Sequence, residues 1–449
     1  MHPTALRSAI LSAMVLAAAL AVPAARAGNM AAVVHKPTVE VHSAPDFKAP
    51  AIATLKRDAA VSVAGQQGLW FRVELTAGQF GFVRVNDVRM APARAAGSAS
   101  GVRALFGGQA GKGRVTETAG VRGLDESTLQ SAAYDGAQIA ALESYRVAPE
   151  AAAARARTEG WSATSVAFAS EAHPGVRGGS TQAEKRSTLS AARGLLSQIG
   201  GGLFGGHASE AMDVADAATG KSEDELAAEE LALGPEIAGR ILGAAPLLDD
   251  PEAQRRVNMI GRWLASQTTR PELPWSFGVI DSPEVNAFAA PGGYVLVTRG
   301  LYELLADDAE VAAVLGHEIG HVVQRDHYNV IRKQAITETG ENIVAGHVNV
   351  GGDLAANLAK DYVRRHGATV MLTRLDREAE FHADEASQVY LARSGFNPLA
   401  LYPVLQKMSA LGTQSPALAQ LVKSHPALDD RLDRIDRRGA SLQQYTQRN

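Results

Sequence analysis

One stretch, Val311–His327 (VAAVLGHEIGHVVQRDH), constrains this chain more than any other. It sets His317-Glu318-Ile319-Gly320-His321, an HExxH motif, inside an apolar run. Val311, Val314, Leu315, Ile319, Val322 and Val323 recur with the roughly 3.6-residue period of a helix, on a face broad enough for a buried one. Asp307-Asp308-Ala309-Glu310 gives that helix an acidic start, with Asp307 and Glu310 at capping-box spacing. Residues i and i+4 share a helix face. His317 and His321 therefore stand side by side, able to aim two imidazole nitrogens at one point about 2.0–2.1 Å away, the usual zinc–nitrogen distance. Glu318 projects beside that point, placed to act on a water there without being a ligand. Gly316 and Gly320 would each cost up to about 1 kcal/mol relative to Ala in a plain helix. Their small size predicts close approach of a neighbouring element. The pattern predicts a metal site.

A hydrolytic zinc site normally takes three protein ligands and leaves one position for water. The 449-residue chain has no cysteine, so the third ligand must be His, Asp or Glu. The same absence excludes disulfides, a thiolate zinc site and a lipid-modified N-terminal Cys. Seven of the twelve histidines (His317, His321, His327, His347, His366, His382, His425) fall between 317 and 425, which places the third ligand downstream. The densest set of candidates is Arg374–Ala386 (RLDREAEFHADEA). In a helix Glu380 and Asp384 share one face and Glu378 and His382 another; spacing alone does not choose between them.

The rest of the chain has room for two or three domains. Residues 1–27 read as a secretory signal: Arg7 as the positive region, Ala9–Val22 as the apolar run, and Ala25-Arg26-Ala27 as the cleavage site, with the cut near Ala27-Gly28. The run is short for a membrane span, an uncleaved anchor being the alternative, and no later segment offers about 18 uninterrupted apolar residues. The mature chain is expected to be soluble, without a transmembrane segment, and periplasmic or secreted. Formal net charge is −4, and loss of Arg7 and Arg26 with the signal takes it to −6. This mildly acidic balance gives no footprint for nucleic acid.

Residues 30–92 read as β structure. VEV, AIATL, AVSVA, LWFRVEL and GFVRV are short β-rich runs separated by turn residues, and five strands at this spacing predict a small barrel. Gly68-Leu69-Trp70-Phe71-Arg72-Val73 followed by Gly81-Phe82-Val83 resembles the bacterial SH3-like domain. That resemblance implies a module for a peptide or cell-wall ligand, although Trp70, Phe71 and Phe82 serve equally as barrel core, the reading preferred for at least two of them. Residues 93–225 read as an Ala/Gly-rich linker and helical appendage, with helical spacing over Leu124–Ala156 interrupted near Pro149 and repeated glycine breaks beyond. Residues 226–449 have the texture of an enzyme domain. Ala253–Gln267 predicts an amphipathic helix. Trp275–Ile280 and Ala287–Thr298 predict strands, the second folded into a hairpin at Pro291-Gly292-Gly293. A strand beside a metal cleft can pair with an extended peptide through its main chain, which suits a protease.

Four segments in order, NAFAAPGGYVLVTRGLYELL, AAVLGHEIGHVVQRDH, EAEFHADE and SHPALDDRL, resemble the zinc metallopeptidase family of HtpX, BepA and the CAAX prenyl proteases, over roughly Pro235–Arg438. The resemblance implies a multidomain fold: a small all-β SH3-like barrel, then an α+β, mostly helical zincin-type metallopeptidase domain with the Glu-bearing helix antiparallel to the HExxH helix. It implies one Zn²⁺ held by His317, His321 and Glu380, with Glu318 as general base. Asp384 would orient a ligand imidazole, and His425, in the family's H-P element, would act as latch, fourth ligand or oxyanion donor. Asn286 and Arg431 fall on cleft-lining or substrate-positioning places. His327, His347, His366 and His382 match no ligand position and are expected on the surface or along helices. The implied activity is that of a cell-envelope metalloendopeptidase acting on polypeptides, among them misfolded envelope proteins. The alternatives are a latent protease that mainly binds clients, as a chaperone does, and a cell-wall hydrolase.

Overall fold

The fold is that of a computed structural model, which describes residues 29–76, 78–91, 124–168, 223–344, 354–412 and 415–446. The signal segment, the stretch from 92 to 123, the glycine breaks between 169 and 222, and His347 lie outside these residues.

The first unit is all β. Its strands are β1 (Met30–Val34), β2 (Thr38–His42), β3 (Ala51–Lys56), β4 (Ala60–Gln67), β5 (Trp70–Thr76), β6 (Gln79–Arg84) and β7 (Val88–Met90). They form one antiparallel sheet in the order β3-β2-β6-β5-β4-β1-β7. Two strands exceed the five expected. β1 sits against the signal segment in sequence and β7 is a three-residue VRM, too short to show alternation, yet the two pair with each other. Side chains alternate as period-2 geometry demands: Val39, Val41, Val61, Val63, Phe71, Val73 and Val83 are all buried. Trp70, on the opposite face of β5 from Phe71, is buried at 6% exposure against His42 and Phe47, and Phe82 is half-buried.

Three short helices follow: α1 (Glu126–Ser131), α2 (Gly136–Ser144) and α3 (Pro149–Thr158). Pro149 starts α3 at its first turn, where a missing N–H costs nothing. Beyond them come α4 (Glu223–Ala244), α5 (Pro251–Ala265), β8 (Ser276–Ile280), β9 (Ala287–Ala290), β10 (Tyr294–Thr298), α6 (Arg299–Tyr302), α7 (Asp308–Gln324), α8 (Asp326–Val344), α9 (Leu354–His366), α10 (Arg377–Arg393), α11 (Leu401–Leu411), α12 (Ala419–Ser424) and α13 (Leu428–Gly439). Leu129, Ile139 and Leu142 of α1 and α2 pack with Leu233, Ile237 and Ile241 of α4, and Ala152 and Ala156 of α3 join the core containing α5.

The second sheet has the order β8-β10-β9, with β8 parallel and β9 antiparallel to β10. The hairpin between β9 and β10 turns at Pro291–Gly293, where Gly292 (φ 75°) and Gly293 (φ 96°) take left-handed conformations open to glycine. The outer edge of β8 is closed by amide side chains of α5. Gln254 accepts from Val279 N at 2.9 Å and Asn258 donates to Phe277 O at 2.6 Å. Among the described residues β9, the other edge, is hydrogen-bonded to a strand on one side alone.

Helix α7 lies under this sheet against α10. A Cβ on Gly316 would stand 3.3 Å from Ser387 Cα, and one on Gly320 would stand 3.0 Å from Ala386 Cβ and 3.2 Å from Ala383 Cα. As α7 advances from 316 to 320 its partner retreats from 387 to 383, so the helices are antiparallel. The two glycines are what permit this approach. At its start α7 meets the first sheet. Asp307 caps it by accepting from Glu310 N at 2.9 Å, but Glu310 does not complete the reciprocal box. Its carboxylate instead accepts from Ala306 N at 2.7 Å, from Gln66 of β4 at 2.8 Å and from Lys407 of α11 at 2.5 Å. Next to it Gln406 accepts from Met90 N at 2.8 Å, tying β7 to α11.

Candidate metal centre

His317 and His321 rise from the same face of α7, their Nε2 atoms 3.2 Å apart. Across from them α10 delivers Glu380, with Oε2 3.7 Å from His317 Nε2 and Oε1 3.9 Å from His321 Nε2. Ligands about 2.0–2.1 Å from a tetrahedral ion lie roughly 3.3–3.5 Å from one another, so these separations suit three donors around one zinc. All three residues are buried, Glu380 at 1% exposure.

Each imidazole is fixed from behind. His317 Nδ1 is 3.0 Å from Asp384 Oδ1, and His321 Nδ1 is 2.9 Å from Asp326 Oδ2. A carboxylate on Nδ1 keeps the proton there and turns the Nε2 lone pair inward. Asp384 is gripped in turn by Arg431, whose Nη2 and Nε donate to its two oxygens at 2.6 and 2.9 Å. Burial works against an ionised Asp384, but Arg431 and His317 hold it down at about 2. Burial, then Arg431, lowers His317. His321 is opposed by burial too, yet the Asp326 bond and the facing Glu380 push it up to about 9. Burial would raise Glu380, but His425, His321 and His317 hold it well below the ordinary carboxylate range. The group thus sets four carboxylates, Glu318, Asp326, Glu380 and Asp384, against the guanidinium of Arg431 and the raised imidazole of His321, an excess of negative charge that a divalent cation would offset.

His425 follows α12 directly, and its Nδ1 lies 2.5 Å from Glu380 Oε2. His317, Glu380 and His425 each bring a ligand atom within 4.8 Å of the others. Glu318, 6% exposed, lines two hollows that meet at it. One is polar, bounded by Asn286–Phe288, His321, His327 and Glu380; the other is apolar, bounded by Leu301, Val314, Leu401, Val404 and Met408. His425 lines both. Asn286, 3% exposed, stands at the head of β9, its N–H on Thr298 Oγ1 at 3.0 Å.

Asp326, Glu230 and Arg325 have no role assigned from the sequence. Asp326 lies inside the quoted HExxH segment, but nothing in that segment marks it as the partner of His321. Glu230, fully buried, pairs with Arg270 at 2.8 Å and with Arg325 at 2.9 Å. That holds Arg325 in the left-handed conformation (φ 59°, ψ 31°) that ends α7 and swings Asp326 beneath His321. His327 was placed with the surface or helix histidines; it lies in the first turn of α8 but faces the polar hollow. Burial, then His321, drives its pKa down to about 3. His366 pairs with Glu338 at 2.8 Å, away from the centre. A second donor group, His35 with Asp433 and Asp436, is already answered by Arg89, which bonds both carboxylates at 3.1 and 2.9 Å.

With this geometry in place, the comparisons fall into line. Residues 251–439, from the start of α5 to the end of α13, match the model of peptidase family M48. The chain therefore carries an M48 peptidase domain over those residues. It is 28% identical over 217 residues to the beta-barrel assembly-enhancing protease of Yersinia pestis, covering 45% of this chain and 42% of that one. It is 29% identical over 181 residues to the mitochondrial metalloendopeptidase OMA1 of Arabidopsis thaliana (40% of this chain, 35% of that one). Metalloprotease LoiP of Escherichia coli (strain K12) matches at 29% over 164 residues, covering 36% of this chain and 62% of that one. The chain spans less than two thirds of the length of each. No helix among the described residues is long and apolar enough to cross a membrane.

Proposed function

We propose that this chain is a zinc-dependent metalloendopeptidase of the cell envelope, cleaving polypeptides and serving the removal or processing of misfolded envelope proteins. The observation that carries the reading is the convergence of His317, His321 and Glu380 from two helices, with Glu318 beside them. The envelope location rests on the signal read at residues 1–27, and the substrate class on the M48 match.

His317, His321 and Glu380 would hold a zinc ion, which would supply Lewis-acid polarisation of the scissile carbonyl and acidify water bound there. Glu318 takes the proton of the attacking water and returns it to the leaving amine. Asp384 and Asp326 keep their imidazoles in one tautomer and orientation throughout, and Arg431 keeps Asp384 ionised. An extended substrate adds to the free edge of β9, which brings its main chain past Glu318. The apolar hollow between Val314 and Met408 accepts an apolar side chain next to the cleaved bond. The SH3-like barrel would supply a further contact for a peptide or cell-wall ligand.

One observation favours a second reading, a latent protease that chiefly holds clients: His425 sits against Glu380 at 2.5 Å, where it would obstruct the place left for water. Cleavage of casein by zinc-loaded wild-type protein, with peptidoglycan as control, tests both. Glu318→Gln is expected to lose about 10²–10⁴-fold in turnover while keeping its zinc; undiminished turnover would refute the assignment. His425→Ala should raise turnover if His425 is a latch and lower it if it steadies the oxyanion.

A further inference from the structure

A hollow of about 680 Å³ lies where the first sheet meets the C-terminal part of the chain, with Phe47, Trp70 and Arg84 on one side and Leu399, Asp436 and Thr446 on the other. Arg84 and Trp70 are register partners on β6 and β5, so their side chains share the face of the sheet turned away from Phe71. Arg84 is 9% exposed, and its guanidinium carbon stands 5.0 Å from the ring centroid of Phe47 and 5.2 Å from that of Trp70. Its Nη2 donates to Thr446 O at 3.2 Å. Its Nε and Nη1 have no hydrogen-bond partner among the described residues, and neither is sealed from solvent as Nη1 of Arg89 is. Asp87, which also lines the hollow, is engaged elsewhere, accepting from Lys36 Nζ at 2.9 Å and from the backbone N–H of Arg84 at 3.0 Å. Among the described residues no carboxylate pairs with the Arg84 side chain. Burial pulls its pKa down to about 10, partly opposed by Asp87, so it stays a cation at neutral pH. A buried charge left without a counter-charge is costly, and two ring contacts offset only part of that cost.

We propose that this hollow binds the free C-terminal carboxylate of a peptide: the unpartnered N–H groups of Arg84 donate to it, and the last side chain, an apolar one, lies on Phe47. One unpaired guanidinium suits one negative charge, and its planar donors match a carboxylate. Glu40, Asp87 and Asp436 on the walls repel a doubly charged group such as a phosphate monoester. A chain end brings a single run of backbone to a cation nine-tenths buried, whereas an acidic side chain in mid-chain brings two. Phe47, 51% exposed, offers its apolar surface directly beside that cation. The inference rests on the reading of the first sheet as a peptide-binding module, gives that module a site and a ligand chemistry, and is independent of the metal centre.

The test uses the full-length, zinc-loaded Glu318→Gln protein, so that peptides are held without being cleaved, and fluorescence anisotropy of a short dye-labelled peptide ending in Leu. The free acid should bind about tenfold more tightly than its C-terminal amide, the worth of one hydrogen bond to a charged group. Arg84→Gln should erase that difference, and Arg84→Lys should restore part of it. Equal binding of acid and amide, or a difference that survives Arg84→Gln, would overturn the proposal. So would an amidated peptide with an internal Asp that binds as tightly as the free acid, which would assign the site to acidic side chains. Retention on peptidoglycan that Arg84→Gln abolishes, with the free acid left unbound, would overturn it in favour of a cell-wall ligand. Should Arg84→Gln fail to fold, Phe47→Ala decides: it should weaken binding of the free acid about fivefold, the loss of one ring contact, and an unchanged Kd would overturn the proposal. Failure of the underlying reading shows separately, as protein that binds neither acid nor amide.

Discussion

The two ends of helix α7 are both buried and both polar, and they are built on opposite plans. At the first, the Glu310 carboxylate is answered by Lys407, Gln66 and Ala306 N, so the chain satisfies itself. At the second, two imidazoles and a carboxylate face one another across 3.2–3.9 Å with acceptors turned inward, and Nδ1 of a third imidazole nearby, His327, has no partner among the described residues. A closed network of this kind joins the first sheet to the peptidase domain. An open one calls for something from outside, first a cation and then a peptide. Burial is common to both; what separates structure from function here is whether the donors and acceptors close upon themselves.

That contrast can be broken at either end. Lys407→Met strands Glu310 as an uncompensated buried charge and should lower the unfolding free energy by about 3–5 kcal/mol, read by urea denaturation of the full chain. Adding Glu310→Leu should return most of the loss, since an apolar pair of similar volume replaces the ion pair; no recovery would mean that Lys407 acts through packing. At the open end the smaller change sharpens the comparison. Asp326→Ala removes the carboxylate behind His321 and should weaken zinc binding about 10–100-fold, measured by competition with a chelator, with little effect on the fold. A large loss of stability with unchanged zinc affinity would place Asp326 in the closed class instead.

Much of the open end was legible in the chain because its chemistry is local. His317, Glu318 and His321 lie within one helical turn and a half, and the glycines at 316 and 320 announced the helix that presses against them. Glu380 and Asp384 could be narrowed to one face but not chosen by spacing; the family resemblance chose them. The residues that escaped depend on backbone turns or distant partners. Arg325 occupies a left-handed conformation where glycine or asparagine would have flagged a helix end, so nothing in the sequence showed α7 stopping before His327. Glu230 acts from 95 residues away, and Lys407 reaches Glu310 across 97. β7, three residues long, gave too little alternation to be read as a strand.

The central claim is that three side chains from α7 and α10 hold one divalent ion. Elemental analysis of the purified protein tests it most directly, with Glu380→Ala measured alongside. The account predicts one zinc per wild-type chain and a clear loss from a Glu380→Ala protein that remains folded. Wild-type protein without stoichiometric zinc, or a Glu380→Ala variant that keeps its full complement, would contradict it.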